Sequence, residues 1–219
     1  MRNTCVVLFL AGSIALAQDP LKVAASHYKL IAENENVRLL EGNLAPGAKT
    51  AMHSHPALLA VMLQASATKW TMPDGTSAQS APDMKRGTVI AMDGQTHVSE
   101  NVGETPTKVV LIEFKKPAPP AGKAKRVPTQ GECKLVAESA HATAQLCSGA
   151  AGSTVAQHTH FNDVVYVALA DVTAEITPAH GEKRSLEMKR DAAAIAAPET
   201  HSAKNTGKNA FELIVVDLK

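Results

Sequence analysis

The chain has 219 residues, of which 45% are hydrophobic, 20% charged and 3% aromatic, with 13 glycines and 12 prolines. This composition is that of an ordered globular protein and excludes disordered, collagen-like and low-complexity chains. The net charge of +1 does not favour a polyanionic partner, so we expect no nucleic-acid binding.

The first seventeen residues contain the three parts of a secretory signal peptide in order. Arg2 provides the positive charge, residues 5–16 form an apolar stretch, and Ala15-Leu16-Ala17 resembles a cleavage site. The stretch is shorter than the roughly 18 residues that a membrane-spanning helix needs. We therefore expect a signal peptide over residues 1–17 with cleavage after Ala17, a periplasmic or secreted protein, and no membrane association after cleavage. An uncleaved anchor is the alternative.

The rest of the chain consists of short apolar runs separated by turn signals such as Ala45-Pro46-Gly47, Pro73-Asp74-Gly75 and Asp93-Gly94. Residues 107–114 and 210–218 carry the apolar side chains of buried strands. No stretch has an amphipathic pattern long enough for a principal helix. The predicted fold class is all-β, with the sheet edges hidden by closure into barrels or two-sheet jelly rolls.

A segment rich in proline and basic residues divides the chain. Residues 115–128 hold four prolines and five basic side chains without apolar periodicity, which is typical of a stiff, solvated linker. We predict a first domain over residues 18–116, a linker over 117–129 and a second domain over 130–219.

The mature chain keeps two cysteines, Cys133 and Cys147. If the runs on either side of residue 140 pair as antiparallel strands, the cysteines lie opposite each other, with Cα atoms about 4.5 to 5.5 Å apart and within disulfide range. Disulfides persist in exported proteins. We predict a Cys133–Cys147 disulfide, and two separately buried thiols are the alternative.

The two predicted domains are copies of one another. Residues 28–73 align with residues 133–178 at a constant offset of 105 without a gap, and later residues align at an offset of 104. Six histidines fall at matching positions of the two copies: His53, His55 and His97 in the first, and His158, His160 and His201 in the second.

The spacing of these histidines suits a metal site. On a strand, residues i and i+2 project from one face about 6.6 Å apart along the chain. Each His-x-His pair can therefore direct two imidazoles at one point, and a histidine from a later strand completes a set of three. Neutral imidazole binds Fe, Mn, Zn, Ni and Cu. We predict one divalent metal ion of this group on each set; a barrel that keeps the geometry and binds no metal is the alternative.

Around these histidines the sequence resembles the cupin superfamily. The pattern Gly-x5-His-x-His occurs at residues 47–55 and 152–160, and Gly87, His97 and Asn101 resemble the second cupin motif. The resemblance covers nearly all of the mature chain. It implies a bicupin: two tandem jelly-roll barrels, each holding one divalent metal ion on the motif histidines.

Both copies depart from the first cupin motif at one position. The motif usually continues to a glutamate that is a fourth ligand, but Leu59 or Ala60 and Val164 or Val165 stand there. Asp163 lies one residue early, and we interpret it as a loop or capping residue rather than a ligand. Three neutral imidazoles leave the metal charge uncompensated, which favours a small-molecule anionic ligand in the open positions.

The resemblance leaves two functions open. Three-histidine iron centres occur in some cupin oxygenases, which implies a small-molecule dioxygenase. A non-catalytic binding module for a metal ion or an anionic metabolite is the second hypothesis. No catalytic residue is identified, and homo-oligomers are compatible with the sequence. Strand alternation directs two sets of side chains into the barrels: Leu59, Val61 and Leu63, and Val164, Tyr166 and Ala168.

Overall fold

The structure is a computed structural model that describes residues 18–64, 66–81, 84–120 and 133–219. The predicted signal peptide lies outside the described residues, as do residues 121–129 of the predicted linker. Strands hold 57% of the residues and helix 2%, which confirms the predicted all-β class. Among the described residues, no helix combines the length and the hydropathy needed to cross a membrane.

The first barrel contains one short helix and nine strands within the described residues. In chain order they are α1 (Pro20–Val23), β1 (Tyr28–Glu33), β2 (Val37–Leu44), β3 (His53–His55), β4 (Leu58–Gln64), β5 (Thr68–Thr71), β6 (Ser77–Gln79), β7 (Val89–Met92), β8 (Gln95–Asn101) and β9 (Thr107–Phe114). An antiparallel five-stranded sheet has the order β1-β2-β9-β4-β7, and a four-stranded sheet has the order β3-β8-β5-β6.

The second barrel repeats this arrangement strand for strand. Its strands are β10 (Lys134–Glu138), β11 (Ala142–Gly149), β12 (Thr154–His160), β13 (Val164–Ala168), β14 (Val172–Pro178), β15 (Arg184–Met188), β16 (Ala193–Ala196), β17 (Glu199–Asn205) and β18 (Phe211–Leu218). The five-stranded sheet has the order β10-β11-β18-β13-β16 and the four-stranded sheet the order β12-β17-β14-β15. The matching orders agree with the duplication in the sequence.

The two five-stranded sheets pack against each other and share one apolar core. β1 of the first barrel contacts β16 of the second, and β7 contacts β10. Each of these sheets is therefore covered on both faces, by the other barrel and by its own barrel interior. This explains why six successive residues of β4 are buried apolar side chains instead of alternating with polar ones. Fully buried residues of the shared core include Leu39, Val61, Ile112, Val165 and Ile214.

The inward positions predicted for the first barrel are wrong by one residue. Leu59, Val61 and Leu63 lie in the core between the barrels, whereas Leu58, Ala60 and Met62 face the barrel interior. The chain turns at Pro56-Ala57 before β4 begins, so alternation from His55 does not continue through it.

In the second barrel the predicted inward positions are correct. Val164, Tyr166 and Ala168 belong to the interior cluster. β13 begins four residues after His160, whereas β4 begins three residues after His55. The two copies therefore differ by one residue at this point, and the gapless offset of 105 does not hold there.

Polar contacts also join the barrels. Asp191 stands where the first copy has Gly87, and both have positive φ, 73° and 82°. The Asp191 carboxylate pairs with Arg86 and lies 3.7 Å from Lys108 Nζ. Asp163 accepts hydrogen bonds from the side-chain amides of Asn34 and Asn36 in the first barrel, at 2.8 and 2.6 Å. Its function in this structure is to join the barrels.

Cys133 and Cys147 form a disulfide with Cα atoms 4.0 Å apart. β10 and β11 pair with Lys134 opposite Leu146, which brings the two cysteines together at the next position of the ladder. The bond anchors the start of the edge strand of the sheet.

Candidate metal centres

The structure brings His53, His55 and His97 together inside the first barrel. β3 pairs with β8, and His53 lies directly opposite His97. The His53 ring centroid is 4.9 Å from that of His55 and 4.8 Å from that of His97. All three side chains are buried. One nitrogen from each ring lies within 4.8 Å of the others.

The second barrel repeats this geometry with His158, His160 and His201. His158 lies opposite His201 in the pairing of β12 with β17. The Nε2 atoms of His158 and His160 are 3.2 Å apart. His160 and His201 are buried and His158 is half-buried. Again one nitrogen per ring lies within 4.8 Å of the others.

The hydrogen bonds of the His-x-His pairs suit metal binding. Nδ1 of His53 donates to the Ala51 carbonyl and Nδ1 of His158 to the Ala156 carbonyl, both at 2.8 Å. A proton fixed on Nδ1 leaves the Nε2 lone pair free to bind a metal. Nε2 of His53 is buried and has no hydrogen-bond partner. Such a nitrogen costs free energy unless a ligand satisfies it, so the residues present fit a divalent cation.

Two buried carboxylates hold the remaining histidines of the pairs. Nδ1 of His55 donates to Glu113 Oε1 at 2.5 Å, and Nδ1 of His160 donates to Asp217 Oδ1. Sequence reasoning missed both residues and treated the sites as lacking acidic groups. The signal was present, because Glu113 and Asp217 match at an offset of 104 and each is the second-last residue of an apolar strand. Hydrogen bonds of this kind orient a ligand histidine and raise its basicity.

The two carboxylates differ in their own partners. Glu113 Oε2 accepts from Arg38 Nε at 2.5 Å, and Arg38 also pairs with Asp19 at 2.7 Å. At the position of Arg38 the second barrel has Thr143, which lies opposite Asp217 in the strand pairing. Asp217 Oδ2 is buried without a hydrogen-bond partner. Among the residues that the structure describes, no guanidinium therefore balances the Asp217 charge in the way that Arg38 balances that of Glu113.

Burial favours the neutral form of four of the six candidate ligands. Removal from water lowers the pKa of His53 to about 4 and that of His97 to about 3. It lowers the pKa of His201 to about 4 and also lowers that of His158. Glu199 lies 3.2 Å from His201 Nδ1, but outside hydrogen-bonding geometry, so this nitrogen has no hydrogen bond. Neutral imidazole is the form that binds a metal.

Asn101 and Asn205, four residues after the third histidines, complete turns. The Asn101 side chain donates to the carbonyls of Leu44 and Thr105 and accepts from the Gly103 amide. Asn205 makes the corresponding contacts in the second barrel. These asparagines fix the loop after β8 and after β17.

Tyr166 is the polar residue that most distinguishes the second site. Its hydroxyl oxygen lies 3.3 Å from His160 Nε2, and burial raises the pKa of the phenol. Tyr166 pairs with Val215 as Ala60 pairs with Leu111, so the two residues are equivalent. Ala60 is one of the two positions at which the cupin motif usually has its glutamate. The structural equivalent of Ala60 is therefore Tyr166, and not Val164 or Val165 as the sequence spacing predicts, because the second copy has one residue more before β13.

Comparison with solved structures shows the cupin fold over most of the chain. AerE from Microcystis aeruginosa is 15% identical over 88% of this chain and 97% of its own, with a TM-score of 0.60. A cupin 2 conserved barrel domain protein from Leptotrichia buccalis is 10% identical over 88% of each chain, with a TM-score of 0.53. Oxalate decarboxylase from Bacillus subtilis, which has Mn(II) centres, is 12% identical over 88% of this chain and 75% of its own, with a TM-score of 0.61.

No protein-family model and no curated protein matches the sequence. The structural likeness establishes a duplicated cupin jelly roll. The function must therefore be argued from the residues of the sites.

Proposed function

We propose that this protein is an exported bicupin that holds one divalent metal ion per barrel on three histidines and binds a small anion at the metal. The observation that carries the proposal is the pair of triads, in which three imidazoles converge, all buried except the half-buried His158, and a buried carboxylate fixes one ring of each. Three ligands leave coordination positions open for a further group. Fe, Mn, Zn, Ni and Cu all accept imidazole, and the Mn(II) centres of the oxalate decarboxylase support Mn among them.

For catalysis we propose a dioxygenase-type reaction on a small chelating anion. A bound iron ion would supply Lewis acidity and a redox centre for oxygen. The residues of the chain hold and orient the reactants: the triads fix the cation, and the Tyr166 hydroxyl beside His160 can donate a hydrogen bond to a bound anion. The apolar walls exclude water from the bound molecule.

The second candidate is a non-catalytic module that captures a metal ion or an anionic metabolite. Its support is the cavity of the second barrel, whose lining is mostly apolar and includes, besides the histidines, only Tyr166 and Asp217 as described residues that could transfer a proton. Enzymes that move protons usually present more such groups.

Metal analysis and oxygen uptake separate the two functions. We would measure the metal content of the mature protein, and then screen oxygen uptake with diketones, thiols and phenolic acids. His55→Ala and His160→Ala each remove one centre, and His180→Ala, an exposed histidine outside both sites, is the control. Uptake lost in one centre variant alone identifies an enzyme and its working barrel. Full metal content without uptake supports the binding module, and absence of bound metal in the wild type contradicts the proposal.

Export is a separate part of the proposal. Expression of the full chain with its own first seventeen residues, followed by N-terminal sequencing, is the test. We expect mature protein outside the cytoplasm beginning at Gln18. Retention in the cytoplasm with residues 1–17 intact contradicts it.

A further inference from the structure

The two barrels differ in what stands beside the histidines. In the first, the Tyr28 ring lies 5.1 Å from the His53 ring and 5.7 Å from the His55 ring. It packs over Gly42, where an added Cβ would lie 3.1 Å from the ring. At the offset of 105, Tyr28 and Gly42 correspond to Cys133 and Cys147. The disulfide thus replaces an aromatic ring that fills the first barrel beside its triad.

The second barrel also distributes side-chain volume differently on its inner wall. Ala194 is equivalent to Ile90, but the residue opposite it is Tyr166 where the first barrel has Ala60. The cavity beside the second triad has a volume of about 100 Å³, against about 60 Å³ beside the first. Apolar side chains line most of it, including Val172, Ile176, Leu186, Phe211 and Leu213.

Besides the Asp217 carboxylate that holds His160, one polar side chain of this wall has a buried oxygen without a hydrogen-bond partner. Gln145 lines the cavity and is 4% exposed, and its Oε1 atom has no hydrogen bond. The equivalent residue in the first barrel is Leu40, since Leu40 lies opposite Leu111 as Gln145 lies opposite Val215. An apolar residue therefore fits this place in the fold, and the second barrel has an amide instead. Buried amide oxygens are almost always satisfied, so the unpaired oxygen indicates a missing hydrogen-bond donor.

Gln145 and Tyr166 lie on the same inner wall, on either side of Val215. Gln145 pairs with Val215 on β18, and Val215 pairs with Tyr166 on β13. Neighbouring strands are about 4.8 Å apart, so the two side chains are separated by about two strand spacings. The Tyr166 hydroxyl lies next to His160, and Gln145 lies on the same wall two strands away from Tyr166. A small molecule nearly as long as this separation can contact both side chains.

We propose that the second barrel is the ligand-binding barrel, and that its ligand is a chelating oxyanion with a compact apolar body and a hydroxyl or amine group. In this arrangement the oxyanion binds at the metal beside Tyr166, the apolar body fills the space beside the disulfide, where the first barrel has Tyr28, and the hydroxyl or amine donates to Gln145 Oε1. Gln145 is thus a specificity-determining residue. The inference rests on the proposed function, because it places the chelating group on the metal of the second triad.

The test compares chelators that differ in one hydrogen-bond donor. Kojic acid and allomaltol share a hydroxypyranone and differ in a hydroxymethyl against a methyl group, and 4-hydroxymethylcatechol and 4-methylcatechol repeat this exchange on another scaffold. Each is titrated calorimetrically, without oxygen, into the zinc-loaded protein. Gln145→Leu introduces the residue of the first barrel, and Leu40→Gln is the matched reciprocal control. Gln145→Met replaces Gln145→Leu if the latter does not fold.

In the wild type we expect about a tenfold preference for the hydroxymethyl member of at least one pair. The preference disappears in the Gln145 variant and persists in Leu40→Gln, and all binding is lost in His160→Ala but kept in His55→Ala. No preference in the wild type for either pair, or an unchanged preference without Gln145, overturns the inference. So does binding that depends on His55 instead of His160. Zinc content is measured first: a protein without zinc contradicts the proposed function itself, whereas a loaded protein without the preference contradicts this inference alone.

Discussion

At the scale of single residues, the two buried carboxylates decide how well the triads bind a cation. Glu113 and Asp217 each accept the Nδ1 proton of a histidine from deep within the protein, with exposed fractions of 1% and 5%. The negative charge raises the basicity of the histidine that would bind the metal, and it partly compensates the charge of the cation. The preference for an anionic ligand is therefore weaker than three neutral imidazoles alone would give, since one buried carboxylate lies near each metal position.

Replacement of these carboxylates should weaken metal binding at one barrel at a time. We expect Asp217→Asn to lower the metal affinity of the second barrel about 10–100-fold, because His160 loses the charged acceptor that orients it. Glu113→Gln should have the same effect in the first barrel. Competition titration with a metal-binding dye measures both affinities.

Glu212→Gln, an exposed residue of the same strand as Asp217, is the control and should leave both affinities unchanged. Equal affinities in Asp217→Asn and in the wild type would contradict the role assigned to the carboxylate.

The lowered histidine pKa values predict how stability depends on pH in the metal-free protein. The folded protein takes up protons on His53 and His201 only near pH 4 and on His97 near pH 3, compared with an ordinary value of 6.5. Between pH 6.5 and pH 4 the unfolded chain therefore binds more protons than the folded protein does. The free energy of unfolding is therefore highest above pH 6.5 and falls as the pH drops toward 4. Urea denaturation at a series of pH values measures this slope.

Double substitution of His53 and His97 by Gln removes two of the titrating groups and should make the slope shallower. An identical slope in this variant would assign the pH dependence to other residues.

At the scale of strands, the spacing of the histidines predicted more of the sites than the alternation of the neighbouring strands did. His53 and His55 converge because i and i+2 on one strand share a face, and that rule is local. The inward face of β4 was predicted wrongly because Pro56 and Ala57 change the direction of the chain between the two strands. A gapless alignment of the two copies does not show this change, although the second copy has one residue more between the His-x-His strand and the next strand.

The role of the acidic partners of the histidines could not be predicted from local spacing. Glu113 follows His55 by 58 residues and meets it only when β9 pairs beside β4. A single carboxylate in an apolar strand is also compatible with an edge position or an ion pair. The repeat at an offset of 104 was the one local sign that both copies need an acid there.

The disulfide is the element-scale feature whose contribution can be measured directly. It links β10, an edge strand, to β11 and closes a separation of 14 residues. In the chain-entropy description, loss of a bond that closes a loop of this length lowers the free energy of unfolding by about 3 kcal/mol. The Cys133→Ala/Cys147→Ala double variant should show this loss in urea denaturation.

Reduction of the wild type should lower its stability to the level of the double variant, and reduction of the double variant should change nothing. A double variant as stable as the oxidised wild type would show that strand pairing alone holds β10 in place.

At the scale of the whole molecule, the two barrels behave as one packing unit. Their shared core contains fully buried side chains from both five-stranded sheets, and polar contacts such as Arg86 with Asp191 surround it. Separation of the barrels would expose this apolar surface to water, at a cost of about 25 cal/mol per Å². We therefore expect the barrels to unfold together.

Gly87 tests the contact between the barrels. It has a φ of 82°, and an added Cβ would lie 2.7 Å from Cδ1 of Leu169 in the other barrel. Gly47 has a similar φ of 74° with no atom within 4 Å of an added Cβ. Gly47→Ala therefore reports the cost of the left-handed backbone alone, about 1–2 kcal/mol, whereas Gly87→Ala adds the overlap with Leu169, about 1–3 kcal/mol more. Urea denaturation measures both costs.

A Leu169→Ala background separates the two costs of Gly87→Ala, that of the left-handed backbone and that of the overlap with Leu169. With the leucine removed, the Cβ at position 87 has room, so Gly87→Ala should cost no more than Gly47→Ala does in the same background. The coupling between positions 87 and 169 is then the direct measure of the contact across the interface. Additive effects of the two substitutions would mean that the barrels do not press on each other at this point, and the expectation of joint unfolding would lose its support there.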